Sequence, residues 1–213
     1  MNKTKIDWAD FTWNPVVGCA GACPYCYARK MAMRFHRDFA PHWVERNFQK
    51  PIPKKPSRIF VNSMSDVADW RKEWADRVQA KMAPHPEHLF LFLTKRPWAC
   101  ERVPCPSMLG YSVTRQEDLD RLIGGRRWGV EFLSIEPLLA PITAWPSWVP
   151  RWIIVGAETG NRKERVMPDY YWLKDIYDFS VRTRIPLFFK ESLRPCWPGE
   201  NRFPFPQKYP LFQ

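Results

Sequence analysis

Three cysteines near the N-terminus have the residue type and the spacing of an iron–sulfur site. Cys19, Cys23 and Cys26 follow a C-x3-C-x2-C pattern, and cysteine thiolates at short, fixed spacings hold iron–sulfur clusters. Three thiolates can bind three irons of a cubane [4Fe–4S] cluster and leave the fourth iron open. The sequence therefore predicts a cluster at which a further ligand binds iron directly.

The remaining cysteines allow other chemistry. Cys23-x2-Cys26 is also half of a zinc knuckle, and Cys100-x4-Cys105 can supply the other half. A C-x-x-C pair also occurs in thiol oxidoreductases, and a structural disulfide is the least specific alternative. Cys100, Cys105 and Cys196 can equally be buried thiols or, if they meet in space, ligands of a second cluster.

The cysteine pattern resembles that of the radical S-adenosylmethionine (SAM) superfamily, in which an aromatic residue precedes the third cysteine, as Tyr25 does here. The resemblance implies that Cys19, Cys23 and Cys26 hold a [4Fe–4S] cluster, that SAM binds the open iron, and that Tyr25 packs near adenine. One electron would then cleave SAM to methionine and a 5′-deoxyadenosyl radical that abstracts hydrogen from a substrate. An electron donor such as a flavodoxin or ferredoxin is implied as a partner.

Several stretches also resemble an uncharacterised phage- and prophage-associated family. They are IDWADFTWNPVVGC at residues 6–19, FVNSMSD at 60–66, LTKRP at 93–97, SIEPL at 134–138 and VGAETG at 155–160. These matches extend over most of the chain, and this family implies no substrate.

Apolar runs alternate with amphipathic segments, which predicts right-handed βαβ units in an α/β fold with a mostly parallel sheet. The predicted strands are residues 58–62, 88–94, 108–113, 130–135, 152–156 and 185–190, and the predicted helices 27–39, 67–82, 116–123 and 170–182.

A complete eightfold barrel usually needs about 250 residues, and this chain has 213. We therefore expect one radical SAM-like domain over residues 1–213 that forms an incomplete (βα)6-type TIM-like barrel. Residues 1–18 would lead into the cluster loop, and residues 191–213 would form a tail rich in proline and aromatic residues. An open doubly wound sheet is the structural alternative.

Polar residues follow the predicted strands, at the ends where ligands gather in both architectures. The superfamily's Gly-Gly-Glu turn after the second strand is absent, and residues 62–66 stand in its place. The candidates for SAM contacts are Asn62, Ser63, Ser65, Asp66, Thr94, Ser112, Glu136 and Glu158. Lys95 and Lys190 are the catalytic candidates, as side chains that would contact the substrate.

The formal net charge is +11 and the sequence pI is near 9.6, which favours polyanionic partners. Basic residues recur beside aromatic ones, a mixture that suits phosphate contacts combined with base stacking. We therefore expect a nucleic acid or nucleotide substrate, with a peptide or small metabolite as the alternative. A zinc-containing nucleic-acid-binding module without catalysis, a cluster protein that carries electrons, and a merely solvated basic surface stay open.

Compartment is indicated by what the sequence lacks. No run of eighteen apolar residues occurs, and the N-terminus has no apolar signal stretch. Six cysteines without such a signal suit a reducing compartment. The sequence predicts a cytoplasmic protein that does not associate with membranes.

Overall fold

The computed structural model describes residues 1–123, 127–160, 162–197 and 205–210. The chain divides into two compact units, Met1–Gly110 and Tyr111–Leu211. Part of the predicted C-terminal tail, at residues 198–204 and 211–213, lies outside the described residues.

The first unit contains a mostly parallel sheet and a separate two-stranded pair. In the sheet, β1 is antiparallel to β2, β2 is parallel to β5, and β5 is parallel to β6, while β3 and β4 form the antiparallel pair. Its elements in chain order are β1 (Asn2–Lys3), β2 (Phe11–Thr12), β3 (Val16–Val17), α1 (Tyr27–Arg34), β4 (His42–Trp43), α2 (Glu45–Phe48), β5 (Arg58–Phe60), α3 (Lys72–Met82) and β6 (Leu89–Thr94).

The second unit is a parallel α/β arrangement. Strand β9 is parallel to both β8 and β10. The chain passes from the first unit into the second within β7 (Met108–Val113), and the elements that follow are α4 (Gln116–Ile123), β8 (Val130–Ile135), β9 (Trp152–Val155), α5 (Tyr170–Thr183) and β10 (Leu187–Phe189).

The prediction of an α/β fold with mostly parallel strands is confirmed, and all six predicted strands occur. The strands at 108–113 and 130–135 have the predicted bounds, whereas the other four are shorter than predicted by one to three residues. Every residue of β9 and β10 is buried, which explains why these strands read as continuous apolar runs. The short strands of the N-terminal segment, β1 to β3, were not predicted.

The prediction of one helix over residues 67–82 is wrong. Val67–Asp69 form a single 3-10 turn, Trp70 is extended, and α3 begins at Lys72. The Asp66 carboxylate caps the short turn by accepting the Ala68 N–H. The Trp70 indole N–H donates to Ser65 Oγ at 3.0 Å, which directs this side chain back towards the end of β5 and interrupts the helix.

The predicted helix over residues 27–39 is also too long. Helix α1 ends at Arg34, because His36 adopts a left-handed backbone conformation with φ of 51°, which costs free energy for a residue with a side chain. Helices α4 and α5 occur as predicted, with α5 one residue longer.

Membrane insertion of a helix receives no support from the described part of the chain. No helix there combines the length and the apolar character needed to cross a bilayer.

The Asp10–Arg58 pair fastens the N-terminal segment to β5. Asp10 accepts the Arg58 backbone N–H at 2.8 Å, and its two carboxylate oxygens accept the Arg58 guanidinium at 3.1 and 2.8 Å. These bonds lower the pKa of the Asp10 carboxyl below 3.8, so the folded protein favours the carboxylate. The pair therefore stabilises the fold above that pH and ceases to do so as the pH falls through the lowered value.

We expect Asp10→Asn to lower the free energy of unfolding by about 1 kcal/mol at neutral pH, because a partly buried, bidentate pair is lost. Urea unfolding should show this difference shrinking as the medium becomes acidic enough to protonate Asp10. Glu73→Gln is the matched control, since Glu73 is 68% exposed and 3.7 Å from Arg71. A loss for Asp10→Asn no larger than for Glu73→Gln would contradict the anchoring role.

Candidate functional site

The cysteine loop lies between β3 and α1 and is fastened to the segment that follows β5. The Gly18 N–H donates to the Met64 carbonyl at 3.0 Å, and the Cys19 N–H donates to the Phe39 carbonyl at 2.9 Å. The Ala20 N–H donates to the Asp69 carboxylate at 2.9 Å. These bonds set the position of the loop at the carboxyl end of a parallel strand, where sites in α/β folds occur.

Two of the three cysteine sulfurs accept backbone hydrogen bonds. Cys19 Sγ accepts the Gly21 N–H at 3.2 Å, and Cys26 Sγ accepts the Arg29 N–H at 3.4 Å as the N-cap of α1. The Arg29 guanidinium donates to the carbonyls of Cys19 and Gly21 at 2.9 and 2.5 Å. Hydrogen bonds to sulfur and a nearby cation stabilise thiolates and anionic clusters. Cys19, Cys23 and Cys26 are free and partly buried, and the contacts at Cys19 and Cys26 are of the kind that a cluster site provides.

The surroundings of Cys19 also disfavour the thiolate form of this residue. Burial raises the pKa of the Cys19 thiol to about 12, and the carboxylates of Asp66 and Asp69 contribute to the rise. Cys19 is therefore protonated at neutral pH, and metal binding must displace that proton.

Asn62 and Asp66 use most of their hydrogen-bonding capacity to join the ends of β5 and β6. The Asn62 amide donates to the Leu93 carbonyl at 2.6 Å, and its carbonyl accepts the Leu93 N–H at 2.9 Å. The Asp66 carboxylate accepts the Thr94 hydroxyl at 2.6 Å and the Lys95 N–H at 3.0 Å. Three of the predicted cofactor contacts, Asn62, Asp66 and Thr94, thus serve the architecture around the site.

The other predicted residues of the first unit are Tyr25, which belongs to the cysteine loop, and Ser63, Ser65 and Lys95. The Lys95 ammonium lies 5.4 Å from the centroid of the Tyr25 ring, which brings a catalytic candidate to the residue expected near adenine. The Tyr27 hydroxyl donates to the Ser63 carbonyl at 2.8 Å. Ser65 accepts the Trp70 indole N–H. Tyr25, Ser63 and Lys95 are therefore the predicted residues most directly associated with the loop.

The second unit contains the remaining predicted residues. The Lys190 ammonium forms an ion pair with the Glu136 carboxylate. Gly156 permits this pair, because a Cβ there would lie 2.9 Å from Lys190 Cδ and 3.1 Å from Glu136 Cδ. Glu158, which is buried, accepts the Arg162 guanidinium at 2.6 and 2.7 Å.

Ser112, the last of the predicted contacts, is a partly buried residue of β7. It belongs to the second unit, as do Glu136, Glu158 and Lys190.

Several positioning residues were missed from the sequence. Asp69 accepts both the Ala20 N–H and the Arg96 guanidinium, the latter at 2.6 Å. The side-chain oxygen Oδ1 of Asn14 accepts the Met64 N–H at 3.0 Å, and the Asn14 side-chain amide donates to Ser63 Oγ at 3.0 Å. The signals available in the sequence were Gly18, directly before the first cysteine, and the stretches 6–19 and 93–97, which contain Asn14 and Arg96. Asp69 gave none, because its partner Ala20 is distant in sequence.

Among the described residues, one group of side chains has the spacing of a site for a single metal ion. The side chains within ligand reach of one ion are His85, Glu87 and His88, whose ligand atoms lie within 4.8 Å of one another. Tetrahedral zinc would need thiolate sulfurs roughly 3.8 Å apart. No cysteines of the described ranges form a group of three or more that meets even the wider 4.8 Å limit.

The hydrogen bonding of His88 argues against metal binding by the histidine group. His88 Nδ1 accepts the Ser57 N–H at 3.1 Å, so the proton of a neutral ring is on Nε2. That nitrogen lies 3.3 Å from Glu87 Oε1 and has no lone pair for a metal. We therefore interpret this group as part of the turn before β6.

These features define an α/β protein with a cysteine loop at the carboxyl end of a parallel strand. The family model of proteins of unknown function, DUF5131, matches residues 3–194. The chain belongs to this family.

An uncharacterised protein of Methanocaldococcus jannaschii is 35% identical over 71 residues, which are 32% of this chain and 27% of that protein. The chain thus spans about a quarter of the length of this curated relative. No solved structure matches the chain.

The expected membership of the radical SAM superfamily is wrong. The family model that matches is not a radical SAM family, and no radical SAM domain was found. The resemblance to a phage-associated family is replaced by the match to DUF5131, whose description gives no function.

Gly18 is essential to the path of the cysteine loop. Its φ is 96°, and a Cβ would lie 2.2 Å from the Ala40 carbonyl oxygen. We expect Gly18→Ala to cost at least about 2 kcal/mol more than Gly160→Ala. Gly160 has nearly the same φ, 97°, but nothing lies within 4 Å of the added Cβ. Urea unfolding of both variants measures the difference, and equal losses would show that the Ala40 contact is unimportant.

Proposed function

We propose that Cys19, Cys23 and Cys26 hold a [4Fe–4S] cluster with one open iron, and that the protein cleaves SAM there reductively to act on a nucleic acid or nucleotide. The proposal rests on the cysteine loop itself and not on family membership. The observation that carries it is the pair of N–H···S bonds from Gly21 and Arg29. Each bond favours anionic sulfur, and at Cys19 it acts against burial and the Asp66 and Asp69 carboxylates, which raise the pKa of that thiol.

When bound, the cluster would supply the electron that converts SAM to methionine and a 5′-deoxyadenosyl radical. The chain's own residues fix the loop and shape its surroundings. Arg29 holds the loop through two carbonyls, and Tyr25 offers an aromatic face at the third cysteine. Lys95, above that ring, is positioned to contact an anionic group of a substrate or cofactor.

The hydrogen bonds narrow the set of residues available to SAM. Asn62 is committed to Leu93 through both its amide and its carbonyl, so we assign it a positioning role. Lys95 is a better candidate for a polar contact, because its side chain is only partly buried. The Ser63 hydroxyl exchanges hydrogen bonds with the Asn14 side chain at 3.0 and 3.2 Å, so we assign Ser63 a positioning role as well.

Glu136 and Lys190 neutralise each other as an ion pair. In this proposal the pair becomes available for catalysis only if a ligand separates it.

Three further elements belong to the proposal. The strands would be arranged as an incomplete (βα)6-type barrel, a flavodoxin or ferredoxin would deliver the electron, and the protein would work in the cytoplasm. All three follow from the sequence expectations, and each needs its own experiment.

Anaerobic reconstitution with iron and sulfide tests the cluster. We expect the native protein to turn brown with cubane absorbance and to form 5′-deoxyadenosine from SAM and dithionite. Cys23→Ala should lose both properties, because two thiolates remain for three irons. Cys105→Ala is the matched control, since Cys105 is exposed and lies outside the loop, and it should retain both.

The alternatives give different results in the same experiment. Stoichiometric zinc without SAM cleavage would contradict the proposal and support a zinc-containing nucleic-acid-binding module. A cubane cluster that never yields 5′-deoxyadenosine would instead indicate an electron carrier. SAM cleavage without nucleic-acid binding would direct the search to a peptide or small-metabolite substrate.

A further inference from the structure

A groove of about 960 Å³ lies beside α1 in the first unit. The N-terminal segment, α1 and the residues around β4 form its walls. It reaches Ser63 and Tyr27, and Tyr27 directly follows Cys26. The groove therefore begins next to the cysteine loop, although none of the three cysteines lines it.

One wall of the groove is an exposed apolar stripe on α1. Tyr27, Met31 and Phe35 follow each other at intervals of four residues, so they lie on one side of the helix. Their exposed fractions are 54%, 49% and 59%. A contiguous exposed patch of large apolar side chains marks a binding surface.

The rim of the groove is basic. Lys5, Arg37 and Arg46 line it, and all three are exposed. Among the ion pairs of the described ranges, none involves these three cations. Asp38 is the acidic residue of the lining, and its carboxylate accepts the Ala40 N–H at 3.0 Å. The groove thus presents more positive than negative charge to an occupant.

We propose that this groove binds a single-stranded nucleic acid, with phosphates at Lys5, Arg37 and Arg46 and bases against Tyr27 and Phe35. The inference builds on the nucleic-acid part of the proposed function and specifies where the strand lies. It would bring a nucleotide to the edge of the cysteine loop.

Charge and aromatic content together favour this occupant. Proteins that bind single strands combine a basic groove with aromatic side chains on which bases stack. A duplex keeps its bases inside the stack, where Tyr27 and Phe35 cannot reach their faces. An acidic peptide would satisfy the cations but would give the aromatic stripe no stacking partner.

Fluorescence anisotropy of the full-length protein with short labelled oligonucleotides tests the proposal. The probes are single-stranded DNA, single-stranded RNA of the same sequence, and the DNA duplex. We expect the protein to bind at least one of the single strands more tightly than the duplex, with affinity falling steeply as salt increases. Comparison of the DNA and RNA probes shows whether the groove prefers single-stranded DNA or single-stranded RNA.

Substitutions in the groove should separate the two kinds of contact. Lys5→Gln and Arg46→Gln should each weaken binding and reduce the slope of log affinity against log salt by about 1. Phe35→Ala should weaken binding about tenfold with the slope unchanged, because it removes base stacking and no charge.

Two control variants have matching changes outside the groove. Lys54→Gln removes one exposed charge, and Tyr171→Ala removes an aromatic side chain that is 72% exposed on α5. Both should bind like the native protein, and urea unfolding should show that all variants are folded. If Lys54→Gln weakened binding as much as Lys5→Gln, binding would be a diffuse effect of net charge and the groove would be excluded.

Other outcomes would overturn the inference in distinct ways. Equal affinity for the duplex would exclude base stacking, and tighter binding of an acidic peptide that displaces the oligonucleotide would indicate a protein partner. If no oligonucleotide bound at low salt while the protein still cleaved SAM, nucleic-acid binding in the groove would be contradicted and the proposed SAM cleavage would be supported. Binding that responds to Lys5 and Phe35 without SAM cleavage would support the groove and refute the cleavage.

Discussion

The position of the cysteine loop depends on two carboxylates, Asp66 and Asp69. Asp66 accepts hydrogen bonds from Thr94 and Lys95 at the end of β6, and it also caps the short 3-10 turn. That turn carries Asp69, which binds the Ala20 N–H of the loop. The loop has no regular secondary structure, so these side-chain bonds replace a strand or helix as its support. The buried ends of β5 and β6 thereby determine where the cysteines lie.

These carboxylates also affect the chemistry of the loop. They contribute to the raised pKa of Cys19, which opposes the anionic sulfur that a cluster needs. The Arg96 guanidinium compensates the Asp69 carboxylate, since the two groups form an ion pair at 2.6 Å that also raises the pKa of Arg96. Arg29 supplies a second cation at the loop carbonyls. The arrangement fastens the loop through acidic groups, and Arg96 and Arg29 add positive charge at Asp69 and at the loop carbonyls.

The fold could be predicted where burial leaves a strong local pattern. Strands β7 and β8, in each of which five of the six residues are buried, have the predicted bounds. The helix over residues 67–82 was predicted wrongly because the apolar spacing continues through Trp70. In the structure Trp70 is extended, with its indole bound to Ser65, and α3 begins only at Lys72. The spacing of apolar residues along the sequence does not reveal a side-chain hydrogen bond of this kind. Strands of two residues, such as β2, are too short to show any periodicity, and their pairing with β5 arises from contacts distant in sequence.

For the candidate site, the sequence revealed the three candidate cluster ligands but not the residues whose hydrogen bonds hold the cysteine loop in place. Cys19, Cys23 and Cys26 are close in sequence, so their spacing is visible. Asp69 is 49 residues from its partner Ala20, and no local pattern reveals that contact.

Polar residues after buried strands were expected to contact SAM, but the polarity of a strand end does not show whether a side chain serves the architecture or a ligand. Asn62 illustrates this distinction, since both ends of its amide bind Leu93. Partial exposure is the better criterion, because a polar group that is not enclosed by its own protein can still meet a ligand. By that criterion Lys95 gains importance, and so does the groove that extends from Ser63 along α1.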